Sequence, residues 1–324
     1  MIVLNTILPS AIAIATIFLF GCVGEILMEK SGHLNLGLPG VMCFGAYGGS
    51  LGVSLFMQNY ASDYTKAPYL PLILVAISMS IVFSLIAGLI YALLTVTLKC
   101  NQNVTGLAMT TFGAGFAEYF MSIIDKKSFA AASAIIKRTL PFGKTTGTFG
   151  LIFFDQTFLV YFAILLAIIV FLILKKTRIG LSLRAVGENP STADAAGINV
   201  NKYKYMAILT GSSVAGLGGL YYVMDSVGGS WNNSSTIQGF GWLALALVIF
   251  AVWNPVIAIF GSIFFGFLYI MPNYITGLSM VYLKILKTIP YLVTILVLIF
   301  TSIFGKKNVQ PPQSLGLSYF REER

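Results

Sequence analysis

The fold is decided by an unbroken apolar run at residues 157–174, which reads TFLVYFAILLAIIVFLIL and is followed at once by Lys175-Lys176-Thr177-Arg178. A helix of about 20 apolar residues crosses a bilayer, and basic residues collect at its cytoplasmic end. Hydrophobic residues make up 57% of the 324 residues and charged residues only 10%, whereas a soluble domain carries about 25% charged residues. Because several runs of this length occur, a soluble protein with a crowded core is excluded.

Nine spans can be placed, which predicts an all-α, polytopic transmembrane bundle with about nine crossings, within a range of eight to ten. They cover residues 5–23, 40–57, 70–98, 104–124, 157–174, 206–224, 237–252, 255–272 and 288–304. No basic residue precedes the first run, so no cleavable signal peptide is expected and the N-terminus is placed outside. The odd number of crossings places the C-terminus in the cytoplasm. Residues 1–305 are then one transmembrane domain, and 306–324 are a mobile, polar cytoplasmic tail.

Loop charges favour this orientation by a small margin. Twelve Lys and Arg residues fall on the predicted cytoplasmic side and eight on the outer side. The loop 125–155 carries five basic residues on the side predicted to be outer. The cluster at 175–178 lies closer to the end of its span, however, and the two loops are separated by a single crossing. We therefore place the loop 175–205 in the cytoplasm.

The segment Gly24–Gly40 reads GEILMEKSGHLNLGLPG and cannot form one continuous helix, because its glycines and its proline weaken or break one. Apolar residues nevertheless recur through its second half. Broken backbone at membrane depth is tolerated where protein or a water-filled cavity supplies the missing hydrogen bonds. One interpretation is a broken helix near 31–40 that lines a translocation path, with Asn35 facing it. The other is a tight turn between two spans.

The loop 175–205 is predicted to hold two short helices. Residues 179–186 form the first, which Gly187 ends. Asn189 or Ser191 caps the second, Pro190 falls at or just before its first turn, and Gly197 stops it. A compact, capped helix with small side chains suits insertion into a groove of a partner protein. The alternative is a solvated loop helix whose basic face lies on the membrane.

The segment Gly239–Pro255 alternates small with large residues and closes on Trp253-Asn254-Pro255. Small residues allow helices to pack closely in a bilayer, so packing is the expected role of this span. Trp253 is expected to be an interfacial anchor.

Several classes of protein are excluded. Cys22, Cys43 and Cys100 at unrelated spacings, with a single histidine, His33, cannot assemble a zinc or redox site, so we predict no metal ligand and no catalytic residue. The net charge of +9 lies in loops between spans rather than on a basic face beside aromatic residues, which argues against nucleic-acid binding.

The chain is not expected to hydrolyse ATP. Gly143-Lys144-Thr145 resembles the end of a phosphate loop, but Arg138 stands where the first glycine should be. Ion-coupled carriers keep ionisable residues in their core. Here acids are few within or at the edge of the predicted spans, Glu118 and Asp225 among them. This scarcity favours energy delivered from outside the chain over a self-sufficient carrier, which is the competing class.

Three segments, in family order, resemble the permeases of ABC importers for branched-chain amino acids, ribose and nucleosides. Residues 24–45 resemble the stretch GE…ERSGxxNLGxEG, and residues 184–200 resemble the cytoplasmic segment RAxGxNPxAAxxxGI. Residues 239–255 are similar to GFxALAxxIFGxWxP of the nucleoside branch. The sequence departs from the family at Lys30, at Leu38-Pro39 and at Ala251-Val252. With the intervening spans, the resemblance covers nearly the whole chain.

The resemblance implies a bacterial plasma-membrane permease that pairs with a second, different permease subunit, a duplicated ABC ATPase and a substrate-binding lipoprotein. ATP and Mg²⁺ would be bound by the ATPase, and the chain itself would bind no cofactor. A nucleoside is the expected substrate, ahead of a simple sugar and then a branched-chain amino acid. The residues expected to couple to the ATPase are Arg184, Gly187, Glu188, Asn189, Pro190, Ala193, Ala195, Ala196 and Gly197. Those expected along the translocation path are Asn35, Gly37, Thr110, Thr111 and Trp242.

Overall fold

The structure is a computed structural model, and it describes residues 2–139, 150, 152–275, 277, 279–304 and 310–320. The described residues are predominantly helical, and their only β pairing is an isolated bridge between Thr139 and Thr157. The prediction of an all-α bundle is therefore confirmed. The phosphate-loop-like residues 143–145 lie outside the described part of the chain.

The helices are numbered here in chain order. They are α1 (Ile2–Glu29), α2 (Leu38–Gln58), α3 (Tyr69–Ala92), α4 (Gln102–Met121), α5 (Lys126–Ile136), α6 (Phe158–Lys176), α7 (Arg178–Glu188), α8 (Pro190–Ala195), α9 (Val200–Tyr221), α10 (Ser235–Phe250), α11 (Pro255–Ile270), α12 (Met280–Leu286) and α13 (Ile289–Phe304). Single π-helical turns extend α3 over Leu93–Thr97 and α9 over Tyr222–Ser226. Short 3₁₀ turns occupy Tyr64–Lys66 and Met271–Tyr274.

Seven helical segments of the described chain are long and apolar enough to cross a membrane. An eighth crossing is formed if α4 and α5, which meet at an angle of 108°, count as one span. The remaining predicted span, 237–252, is α10, an apolar helix of only 16 residues that no neighbouring helical turn lengthens to the membrane-crossing length of the other seven segments. The chain is thus a polytopic bundle, as predicted, in which one span is bent and one is short.

The centre of the bundle is built from α1, α2 and α9, which are held together by small residues. A methyl group on Gly24 of α1 would lie 2.9 Å from the backbone nitrogen of Ala215 on α9. A methyl group on Gly45 of α2 would overlap the backbone of Gly216. Helices approach this closely in a bilayer only where side chains are absent, which explains the high glycine content of the central spans.

The outer helices present apolar side chains away from the bundle. The most apolar window of α1 is 89% buried, whereas that of the segment Val281–Phe300 is only 11% buried. Exposed aliphatic and aromatic side chains also cover α3 and α6. A surface of this kind requires lipid or another membrane subunit around it.

The described parts of the segments predicted to be cytoplasmic meet at one end of the bundle, which we call the coupling end. There the carbonyl of Gly32 accepts a hydrogen bond from the nitrogen of Gly316, at 3.2 Å. The Lys99 ammonium group lies 4.4 Å from the ring centre of Phe320. The alternation of the spans is therefore the one predicted from the sequence, with the start of the chain and the C-terminal segment at opposite ends.

Three sequence-based expectations are corrected. The first helix does not end near residue 23 but continues to Glu29, because residues 25–30 contain no glycine or proline that would end it after Gly24. Gly187 does not end the first helix of the loop 175–205, since α7 continues through it to Glu188 and has Asn189 as its C-cap. The described part of the tail, residues 310–320, is packed against the coupling end and is not a free terminus.

Candidate functional site

The connection between α1 and α2, residues 30–37, turns back into the bundle. Ser31, His33 and Asn35 are all buried. The backbone nitrogen of Asn35 lies 2.9 Å from the Glu25 carboxylate, so the chain has returned to the level of a residue inside α1. This irregular backbone therefore lies within the protein, as the broken segment requires.

Side chains from three helices supply the hydrogen bonds that the connection lacks. Gln102 of α4 accepts from the nitrogen of Leu34 at 2.9 Å, and Tyr91 of α3 donates to the carbonyl of Leu34 at 2.7 Å. Thr110 of α4 donates to the carbonyl of Leu36 at 2.8 Å. Together with Glu25 of α1, these groups satisfy a buried backbone that would otherwise lose about 1–3 kcal/mol per unpaired group.

The five predicted path residues separate into a first set of three that lie together and two, Thr111 and Trp242, that do not belong to it. Asn35, Gly37 and Thr110 lie together around Leu36, where the Asn35 amide oxygen accepts from the Gly37 nitrogen at 2.9 Å. Thr111 lies on the exposed side of α4, and its hydroxyl donates to the carbonyl of Leu107 at 3.2 Å. Asn35 is therefore occupied in holding its own turn, at 0% exposure.

Trp242, the remaining predicted path residue, borders a cavity of about 480 Å³. This volume lies within the range of about 300–1,000 Å³ found for small-molecule sites. The cavity is lined by Glu29, Leu34, Leu36, Trp242, Leu245, Ala246, Ile249 and Tyr291. Since Leu34 and Leu36 belong to the connection 30–37, the first set of path residues lies directly behind the cavity wall.

The sequence analysis did not identify Glu25 and Glu29 as candidate functional residues, because it ended the first span at residue 23. They are four residues apart on α1, and both are buried. Glu29 lines the cavity and accepts a hydrogen bond from the indole nitrogen of Trp253. The signal available in the sequence was the absence of any breaker between Gly24 and Ser31.

The prediction of Trp253 as an interfacial anchor is wrong, because this side chain is 7% exposed and binds Glu29 inside the protein. It lies in the turn between α10 and α11, where Val252 and Trp253 both adopt a φ of +53°. The left-handed region is unfavourable for a β-branched residue such as Val252. The Glu29–Trp253 hydrogen bond holds this strained turn against the end of α1.

The loop 175–205, which holds the predicted coupling residues and is called the coupling loop below, has the capped geometry that the sequence predicts for its second helix. Asn189 is the N-cap of α8, with its side-chain oxygen 3.0 Å from the nitrogen of Thr192, and Pro190 occupies the first turn. Gly197 ends the helix with a φ of +82°. The nitrogen of Ile198 donates to the carbonyl of Ala193 at 3.0 Å, which completes a Schellman motif.

The predicted coupling residues divide by exposure. Gly187 and Ala193 are buried: Ala193 packs with Val186 and Val200, and a methyl group on Gly187 would overlap the carbonyl of Lys30. The members of the set that are exposed, and so available to a partner, are Arg184, Glu188, Asn189, Ala195, Ala196 and Gly197, with Pro190 half-buried.

Charged groups link the coupling loop to the connection 30–37. Burial lowers the pKa of Lys30, Glu188 opposes this shift, and Arg184 adds to it. Burial, together with the nearby Lys204 ammonium group, also lowers the pKa of His33 well below its usual value. The described residues contain no group of three or more His, Cys, Asp or Glu side chains that could hold a metal ion.

The arrangement therefore places a cavity next to a buried, irregular connection, and a capped surface helix beyond it. A family model for the permease component of branched-chain amino acid transport systems matches residues 7–302. The chain belongs to this family.

Three relatives match along almost their whole length. NupC of Lactococcus lactis, a nucleoside ABC transporter permease protein, is 31% identical over 99% of this chain and 98% of its own. NupQ of Bacillus subtilis, a guanosine ABC transporter permease protein, is 31% identical with the same coverage of both chains. TsgC13 of Haloferax volcanii, provisionally named a glucose ABC transporter permease protein, is 29% identical over 98% of each chain.

These matches confirm the resemblance to ABC importer permeases and to their nucleoside branch. They also confirm a multi-pass membrane permease, since the family match includes every helix from α2 to α12 and most of α1 and α13. The relatives are transporter subunits and not enzymes.

Proposed function

We propose that this permease carries nucleosides across the bacterial plasma membrane as one subunit of an ABC importer. The observation that carries the proposal is the likeness to NupC and NupQ over 99% of the chain, since a match of this extent includes the path as well as the fold. Likeness to TsgC13 favours glucose as the second candidate substrate.

The chemistry of the cavity supports a neutral, amphipathic substrate. Trp242 and Tyr291 offer aromatic faces on which a nucleobase can stack, and Leu245 and Ile249 add apolar surface. Glu29 offers a hydrogen-bond acceptor at one edge. In this proposal Asn35, Gly37 and Thr110 act from behind the wall by holding Leu34 and Leu36 in place.

The cavity supports a path shared with a second permease subunit. It opens towards the surface of the bundle beside α10 and α13. Exposed apolar side chains there, such as Leu292 and Leu296, form a surface that a second membrane subunit can cover. A path formed at such an interface would be completed by the partner. Thr111 remains a predicted path residue, on an exposed face of α4.

Energy is supplied, in this proposal, by a separate ABC ATPase that holds ATP and Mg²⁺ and grips the exposed predicted coupling residues, from Arg184 near the end of α7 to Gly197 after α8. Movement of α8 would reach the cavity through Gly187, which packs against Lys30 and Gly32 of the connection. The coupling end then faces the cytoplasm, and the substrate-binding lipoprotein docks on the outer loops, which the sequence predicts to include 125–155.

The test is purification of the permease with the ATPase, second permease and lipoprotein encoded beside it, followed by ATPase assays with a panel of nucleosides, glucose and leucine. We expect stimulation by at least one nucleoside. Stimulation of ATP hydrolysis by glucose alone would identify glucose, and not a nucleoside, as the substrate. Trp242→Ala should lower transport, whereas Trp242→Phe, which keeps an aromatic face, should retain most of it.

A further inference from the structure

The C-terminal segment 310–320 is bound across the coupling end through its backbone. The nitrogen of Ser314 donates to the carbonyl of Gly187 at 3.0 Å, and the nitrogen of Gly316 donates to the carbonyl of Gly32 at 3.2 Å. Gly316 has a φ of +80°, which lets the chain turn at this point. The segment therefore joins the end of α7 to the connection 30–37.

Side chains add further contacts on both sides of the segment. The Tyr319 hydroxyl donates to the Asp194 carboxylate of α8 at 2.9 Å. Gln102 uses both ends of its amide, accepting from Leu34 at 2.9 Å and donating to the carbonyl of Leu317 at 3.3 Å. A segment held at α8, at α4 and at the connection 30–37 is part of the folded coupling end.

The segment also forms one wall of a groove of about 330 Å³ beside α8. The other wall consists of residues 188–191, at the junction of α7 and α8. The lining residues are Glu188, Asn189, Pro190, Ser191, Gln313, Ser314, Leu317, Ser318, Tyr319 and Phe320. Most of them are polar, so the groove is unsuited to lipid chains and suited to a protein.

Two apolar side chains stand exposed at this groove. Leu317 is 62% exposed and Phe320 is 39% exposed. They are continuous with the exposed residues of the coupling loop, since Glu188, Asn189 and Ser191 border the same groove. An ATPase seated on α8 would therefore cover Leu317 as well.

We propose that the C-terminal segment 313–320 is the second wall of the ATPase docking surface, so that the ATPase grips the segment and α8 as one unit. The inference rests on the proposed coupling to an ATPase. Its consequence is a second route for force: through the segment to Gly32, and through Gln102 to Leu34 at the cavity.

The test uses the complete complex with a photoreactive benzoylphenylalanine introduced singly at three exposed positions. Position 317 lies in the groove, and position 195 lies on α8. Leu181, which is 61% exposed on α7 and does not line the groove, provides a matched control. We expect cross-links to the ATPase from positions 317 and 195 and a much weaker one from 181. Leu317→Asp should lower ATPase retention about tenfold, the scale of one well-buried contact residue, while Leu317→Met retains it.

The outcomes separate the two proposals. Cross-linking from position 195 without any from 317, together with full retention by Leu317→Asp, would overturn the docking role of the segment and leave the coupling role of α8 intact. Absence of cross-links from both positions in an assembled complex would overturn the coupling proposal itself. Size-exclusion profiles of each variant show that the permease is folded.

Discussion

Four side chains on other helices hold the backbone of residues 34–37, and each is a polar group within an apolar region. Glu25, Tyr91, Gln102 and Thr110 each bond one backbone group of the connection. Because every such bond has a single donor and a single acceptor, the loss of one partner leaves the other unpaired in the protein interior. The path residues predicted from their polarity thus include Asn35 and Thr110, whose polar atoms hold the connection, and Thr111, whose hydroxyl bonds within α4.

A pH dependence of stability is expected from His33. Burial lowers the pKa of this residue, with Lys204 adding to the effect, and neither ring nitrogen has a hydrogen-bond partner among the described residues. The unfolded chain takes up the proton first as the pH falls below about 6.5, so the free energy of unfolding is retained above that pH and decreases below it. His33 is the only histidine in the chain, so no other imidazole titrates in this range.

The measurement is the thermal unfolding midpoint in detergent at about pH 7.5 and about pH 5.5, on either side of the ordinary histidine pKa. His33→Gln cannot take up this proton, and its midpoint should fall less between the two pH values than that of the wild type. Equal decreases in the two proteins would show that His33 does not destabilise the fold on protonation.

At the scale of elements, both caps of α8 could be predicted from the sequence. Asn189, Pro190 and Gly197 occupy the N-cap, the first turn and the left-handed C′ position, because each residue type suits one of these backbone conformations. Gly187 was read as a stop, whereas it lies inside α7. Close packing against Lys30 explains this glycine, and such a contact between distant segments is not visible in local sequence.

Loss of the α8 cap should weaken coupling. Asn189→Ala removes the acceptor for the Thr192 nitrogen, at a cost of about 1 kcal/mol to the helix end, whereas Asn189→Ser keeps an effective cap. We expect fewer substrate molecules transported per ATP in the alanine variant and a nearly normal ratio in the serine variant. Identical ratios in both would argue that a well-formed α8 terminus is unnecessary.

Packing of α2 against α4 provides a second prediction with its control on the same helix. A methyl group on Gly113 would lie 2.6 Å from the Cα of Gly40, whereas one on Gly115 would meet nothing within 4 Å. Gly113→Ala should therefore cost about 1–3 kcal/mol of stability, as overpacking does. Gly115→Ala should be neutral or gain up to about 1 kcal/mol from helix propensity. Thermal unfolding of the two purified variants tests the difference, and equal midpoints would contradict the close approach.

At the scale of the whole molecule, the coupling end gathers parts of the chain that are far apart in sequence. Residues 30–37, 97–102, 186–205 and 310–320 meet there. This convergence agrees with alternating crossings, so a label on any one of these segments reports the sidedness of them all.

Cys100 tests this sidedness without any substitution. Its side chain is exposed at the coupling end, whereas Cys22 and Cys43 are buried in the bundle. A membrane-impermeant maleimide should label the permease in inside-out vesicles but not in intact cells stripped of their wall. Cys100→Ser should abolish the labelling. Labelling from the outside of intact cells would reverse the proposed orientation.

The amino-acid sequence by itself determined the class of the protein. Apolar runs of membrane length dictate a helical bundle, since a backbone in lipid must satisfy its own hydrogen bonds. Turn and cap residues located α8, because their conformational preferences are local. Three motifs in order were sufficient to indicate the family.

Only the tertiary structure decided which polar residues border the cavity and what holds them. Glu29 lines the cavity because α1 continues beyond the predicted span. Trp253 is buried, and is not an interfacial anchor, because its indole donates to the Glu29 carboxylate. The C-terminal segment proved to be bound for a similar reason: its partners, Gly32, Gln102 and Gly187, belong to three distant segments. Contacts between residues remote in sequence depend on how the helices pack, and local patterns carry no record of them.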